Sequence, residues 1–141
     1  MPLKAPAVRQ QTSLELIDPS GGFAPIAAAL GYDPQRDPYA VTAGFAVGDS
    51  PVVWTFARDL LVNGLAEPTG DGDVHVWPAV DDAGVPVVAL ELNSPDGSAL
   101  LQVRTSEVKR FLSRSLRSVP QGRESDHLDL DALVGRLLET D

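Results

Sequence analysis

The sequence predicts an α+β domain built on antiparallel sheet. Two groups of short segments, before residue 57 and after residue 73, alternate apolar and polar residues with period two. Clusters of Asp, Pro, Gly and Ser separate them at hairpin-like intervals. After Phe56, and twice beyond Arg104, the apolar period lengthens to three and four. The resulting order is strands, helix, strands, helices.

Residues 1–7 hold Pro2, Pro6 and no period, and read as a loose arm before a single domain over 8–141. Thr12, Leu14 and Leu16 alternate with Ser13, Glu15 and Ile17 as a first strand. Asp18-Pro19-Ser20-Gly21-Gly22 is a turn. The Ala-rich run from Phe23 to Leu30 has short-helix propensity, but Pro25 and the flanking glycines favour a strand. A second breaker cluster, residues 33–38, follows. Tyr39, Val41, Ala43, Phe45 and Val47 then share one face of a strand, and Gly48-Asp49-Ser50 connects it to a partner from Val52 to Phe56.

Ala57, Leu60, Leu61 and Leu65 form the apolar face of a short helix, stopped by Gly64 and Pro68. Residues 69–73 read as a tight polar turn. Val74, Val76 and Pro78 alternate with His75 and Trp77 in a strand, and residues 81–84 form a hairpin loop. The near-continuous apolar run from Val85 to Leu92 predicts a central strand. Residues 93–97 turn into a strand from Ser98 to Thr105. The next helix carries Val108, Phe111, Leu112, Leu116 and Val119 as its stripe, with Thr105 or Ser106 as N-cap. Val119-Pro120-Gln121-Gly122 ends it. In a last helix capped by Asp129, Leu130, Leu133, Val134, Leu137 and Leu138 form the stripe, and Leu128 pairs with Leu133 as a hydrophobic staple. The order divides into two topologically alike halves, unaccompanied by a sequence repeat.

At 141 residues the chain is long enough for one domain with its own core. The lack of Cys excludes disulfides, thiolate metal sites and a Cys nucleophile, and fits a reducing cytoplasm. No apolar run approaches the ~20 residues of a membrane span, and the first residues lack the apolar core of a signal peptide. The net charge of −9, from 20 acids against 11 Lys and Arg, opposes general nucleic-acid binding.

That charge is unevenly laid out. Residues 59–103 contain no Lys or Arg. The next segment is basic, with Arg104, Lys109, Arg110, Arg114, Arg117 and Arg123 against Glu107, and the tail is acidic again. These blocks are either a solvated surface of weak ion pairs or a marked docking face. On the second reading Lys109, Arg110, Arg114 and Arg117, largely outside the helix's apolar stripe, form the candidate partner-binding surface. An apolar excess in the 23–30 and 85–92 segments points to an oligomer.

No catalytic constellation emerges. His75 and His127 are the only histidines, each without a triad or metal-ligand spacing. Gly70-Asp71-Gly72-Asp73 lacks the spacing and terminal Glu of a calcium loop and reads as a turn. Neither catalysis, metal nor cofactor is expected. Trp54, Phe56 and Trp77 read as core aromatics, or as interface anchors if exposed.

One stretch is distinctive. Asp37-Pro38-Tyr39-Ala40-Val41 leads to W-x-F-A-R-D-L-L at Trp54–Leu61, then Gly64-Leu65, then P-T-G-x-G-D-V-x-V-W-P at Pro68–Pro78. Further matches fall at Ser94–Gly97, Phe111-Leu112, Val119–Gly122 and Leu128–Asp131. Over roughly residues 8–138 the chain resembles the SsgA-like sporulation and cell-division proteins of actinomycetes, with the SsgB-like branch favoured. The resemblance implies a non-enzymatic adaptor that marks septum sites and recruits the tubulin-like protein FtsZ, positioned with help from an SsgA-type paralogue. It also implies a homotrimer, a cytoplasmic place at the division septum with at most indirect membrane association, and a fold similar to the whirly fold of single-strand nucleic-acid-binding proteins. Within the shared motifs Trp54, Phe56, Arg58, Asp59, Gly70, Asp73, Trp77, Pro78 and Gly122 are expected to be structural. The whirly likeness raises single-strand nucleic-acid binding as the alternative function, opposed by the missing cations of 59–103.

Overall fold

The computed structural model describes residues 5–128, 134–135 and 137–138. A meander of β1 (Val8–Ile17), β2 (Phe23–Tyr32), β3 (Ala40–Phe45) and β4 (Val52–Ala57) leads into α1 (Arg58–Gly64). A second meander, β5 (Thr69–Asp71), β6 (Val74–Val80), β7 (Pro86–Ser94) and β8 (Gly97–Arg104), leads into α2 (Thr105–Ser118) and a 3₁₀ turn, Glu124–His127. The strands form one antiparallel sheet in the order β4-β3-β2-β1-β8-β7-β6-β5. Among the described residues the two meanders pair with each other only where Glu15–Ile17 lies beside Leu100–Gln102.

That order forces the sheet to curl. A flat sheet of eight strands is about 34 Å from edge to edge. The connection from edge strand β4 to edge strand β5 is the seven-residue α1, about 10 Å long, plus residues 65–68, which add about 13 Å at most. The edges must therefore approach each other across α1, which packs on β4, β5 and β6. Helix α2 packs across the seam on β1, β7 and β8.

The inner sheet face and both helices enclose the core. Leu14, Leu30, Tyr32, Val41, Phe45, Phe56, Val76, Leu90 and Leu101 meet Leu60 and Leu61 of α1 and Val108, Phe111 and Leu112 of α2 there. The apolar run of β7 follows from its place between β6 and β8: Val88 and Leu90 face the core, while Val87 and Ala89 are buried on the outer face. Ala89 there lies between Trp77 and Gln102 in cross-strand register.

Several expectations need correction. Thr69–Asp71 is a strand, and the turn contracts to the residues around Gly72, whose φ is +60°. The first strand begins earlier, at Val8, because Val8 and Gln10 continue the inward face. Tyr39 and Val47 lie outside β3 and are exposed. Arg104, with φ −58° and ψ 132°, is the N-cap of α2, since Thr105 and Ser106 are already helical. Gly64 does not end α1 through a left-handed conformation. A Cβ there would strike Val76, so the glycine permits close helix–sheet packing. Of the last helix expected, Asp129, Leu130 and Leu133 lie outside the described residues; Val134, Leu137 and Leu138 are exposed.

Candidate functional site

The apolar spacing of α2 decides which way its charges point. Val108, Phe111, Leu112 and Ser115 turn to the sheet and are buried. Lys109, Arg110 and Arg117 fall on the opposite side and are exposed. Arg114 is half-exposed at the flank, where its guanidinium donates to the Arg9 carbonyl at 3.4 Å. The helix's one acid, Glu107, does not neutralise this face, because its carboxylate and carbonyl accept from the Gln10 amide at 3.1 and 2.9 Å. Among the described residues none of the four cations has a carboxylate within ion-pair distance. Among the described residues these four cations therefore form an unpaired basic face.

Beneath α2 lies a second charge arrangement. Arg58, the first residue of α1, is 0% exposed. Its guanidinium donates to the Ser115 carbonyl at 3.0 Å and to Glu124 Oε2 at 3.2 Å, and lies 4.6 Å from the centre of the Tyr32 ring. The Tyr32 hydroxyl donates to the Pro38 carbonyl at 2.8 Å. Glu124 Oε1 accepts the Gly122 N–H at 2.7 Å, and Gly122 reaches that position with φ +87°. Asp59 accepts from the Gln121 amide at 2.8 Å. Adjacent residues of α1 thus hold the chain that follows α2.

Burial alone would raise the Glu124 carboxyl, but backbone N–H bonds and Arg58 outweigh it and hold it below its ordinary 4.5. The stability this adds is present above the ordinary carboxyl range and is lost as pH falls through the folded value. Glu124→Gln should therefore be less stable than the parent at pH 7, with the gap closing below about pH 4.5. Urea midpoints at pH 7, 5 and 3.5 check this; a pH-independent gap would contradict it.

The remaining motif residues are dispersed. Phe56 is buried opposite Val41, and Trp54 packs half-buried on the core opposite Ala43. Gly70 lies under the His75 ring, where a Cβ would come within 2.9 Å of Nε2. The Asp73 carbonyl accepts the Asn93 N–H at 2.9 Å. Trp77 is half-buried and Pro78 exposed on β6. The structure gathers Arg58 and Gly122 around Glu124, sets Asp59 against Gln121, and leaves Gly70, Asp73, Trp77 and Pro78 on the β5–β6 hairpin. Sequence reasoning missed Glu124, Tyr32 and Ser115, since nothing local distinguishes them from their neighbours. Among the described residues no group of His, Asp and Glu could hold a metal ion, and no helix is long and apolar enough to cross a membrane.

A family model described as "Streptomyces sporulation and cell division protein, SsgA" matches residues 26–124. The chain belongs to the SsgA-like family. This SsgA-like chain is 48% identical over 139 residues to the sporulation-specific cell division protein SsgB of Salinispora tropica, covering 96% of each. It is 45% identical over 126 residues to SsgB of Streptomyces coelicolor, covering 89% of this chain and 90% of the relative. A solved SsgB structure, from work on mutations that correlate with longitudinal cell division during sporulation of S. coelicolor, superposes with a TM-score of 0.82 at 44% identity, covering 87% and 96% of the two chains. An SsgA-like sporulation-specific cell division protein from Thermobifida fusca gives 0.83 at 38%, covering 96% and 98%. These likenesses set the chain in the SsgB branch, a family of cell-division proteins and not a known enzyme family. Its role is cell division in sporulation.

Proposed function

We propose that this SsgA-like chain is a non-enzymatic adaptor that marks septum sites and recruits FtsZ through the outward face of α2. It acts in the cytoplasm at the septum as a homotrimer, with an SsgA-type paralogue where one is present. The observation that carries this reading is the face of Lys109, Arg110, Arg114 and Arg117, unpaired among the described residues, on a protein whose net charge is −9. Such a face steers an acidic partner and fixes its orientation. The exposed apolar residues Val134, Leu137 and Leu138 support self-association.

Changing all four cations to Glu should abolish FtsZ pull-down at low salt and leave the trimer intact by light scattering. A triple variant that spares Arg114, which also bonds to Arg9, should do the same. Undiminished pull-down by both variants would remove FtsZ from this face. The alternative, single-strand nucleic-acid binding on a whirly-like sheet, has less support, because the strands from β5 to β8 carry no cation before Arg104. A labelled oligonucleotide titrated in ~0.15 M salt separates the two readings.

A further inference from the structure

Strand β4 is an open edge of the sheet, and its backbone parity can be read from two hydrogen bonds. The Ala46 N–H donates to the Ala27 carbonyl at 3.0 Å, and the Arg58 N–H to the Tyr39 carbonyl at 2.8 Å. With the registers of β2–β3 and β3–β4, these place Val52, Trp54 and Phe56 in bonded pairs with β3. The N–H and C=O groups of Val53 and Thr55 therefore point off the sheet. Among the described residues none of these four groups has a hydrogen-bond partner. Val53 is 60% exposed, and Val52 beside it in the strand is exposed as well.

Natural sheets guard such edges with Lys, Pro, bulges, a covering segment or very short strands. The opposite edge, β5, is three residues long and ends in Asp71. From Val52 to Ala57 β4 has no charge and no Pro, and it pairs with β3 without a bulge. Main-chain donors and acceptors at strand spacing are matched by another extended main chain. The charge around the strand narrows the choice. Exposed Asp49 and Asp59 bracket it, and Arg58 is buried and paired with Glu124. On the outer side Arg9, Arg36, Asp33 and Asp37 line one groove with Val53 and Thr55, two charges of each sign. Antiparallel pairing with a second copy, centred on Thr55, would set Asp59 opposite Pro51, two residues from the other copy's Asp49. The exposed acids of the two copies would gather at both ends of the pairing, like against like.

We propose that the free edge of β4 docks an extended partner segment, β-branched or apolar in its centre and carrying Lys or Arg at both ends, as a ninth antiparallel strand. This surface is separate from the α2 face and does not depend on its assignment.

The probe is a capped synthetic peptide, Lys-Val-Thr-Val-Thr-Val-Lys, titrated into the full chain and followed by amide hydrogen exchange. Saturable binding should slow exchange at Val53 and Thr55 by roughly tenfold or more, with little change at Val52 and Trp54. The same peptide N-methylated at every residue, with no N–H left on either edge, should not bind. Thr55→Pro should abolish binding while keeping the β3–β4 ladder, because the lost N–H points outward. Val53→Lys should weaken binding without any demand on backbone geometry. No binding, equal binding of the N-methylated peptide, or undiminished binding by both variants would overturn the proposal. Protection of Val53 and Thr55 that rises with protein concentration alone would overturn it in favour of a second copy.

Discussion

Arg58→Ala should destabilise the domain by about 3–5 kcal/mol, seen as a lower urea midpoint at unchanged slope. The substitution leaves Glu124 buried without its counter-charge, frees the Ser115 carbonyl and strips the Tyr32 ring of its cation. Arg58→Lys should recover only part of the loss, because one ammonium cannot reproduce the geometry of two guanidinium bonds and the contact with the ring. Combining Arg58→Ala with Glu124→Gln should be less damaging than the separate losses added together, since each removes what strands the other. A loss under about 1 kcal/mol for Arg58→Ala would mean that water replaces the guanidinium at little cost.

Gly64→Ala should destabilise the domain by about 1–3 kcal/mol, against the sign of helix propensity. In an exposed helix the same change would gain about 1 kcal/mol. Here the new methyl would sit 2.7 Å from Val76 Cβ, in a buried contact with the centre of β6. The neighbouring atoms belong to a β-branched side chain whose rotamer has little freedom. Gly64→Ala combined with Val76→Ala should relieve the clash and show favourable coupling in a double-mutant cycle. If Gly64→Ala alone raised the melting temperature, α1 and β6 would have room between them for a methyl group.

The two charge arrangements differ in how visible they were. The basic face of α2 could be read directly, because helical spacing put Val108, Phe111 and Leu112 on one side and Lys109, Arg110 and Arg117 on the other. The buried pair could not. Arg58 and Glu124 are 66 residues apart, and only folding brings β2, α1 and the end of α2 to one point. Asp59 shows the same limit: its partner Gln121 belongs to a segment that reads as a helix stop. The Gly64 error has a related cause, since a glycine near a helix end has two possible reasons and only the position of Val76 distinguishes them.

The sequence by itself determined the order of elements as far as α2 apart from β5, the antiparallel class, the face of α2 that meets solvent and, through the motifs from Trp54 to Pro78, the family. Each rests on local periodicity or on residues adjacent in the chain. Only the tertiary structure decided that β1 and β8 join the halves, that the sheet curls around α1, that Arg58 is buried against Glu124, and that β4 is, among the described residues, an open edge. These depend on which strands become neighbours, and strand pairing is set by packing between residues far apart in sequence.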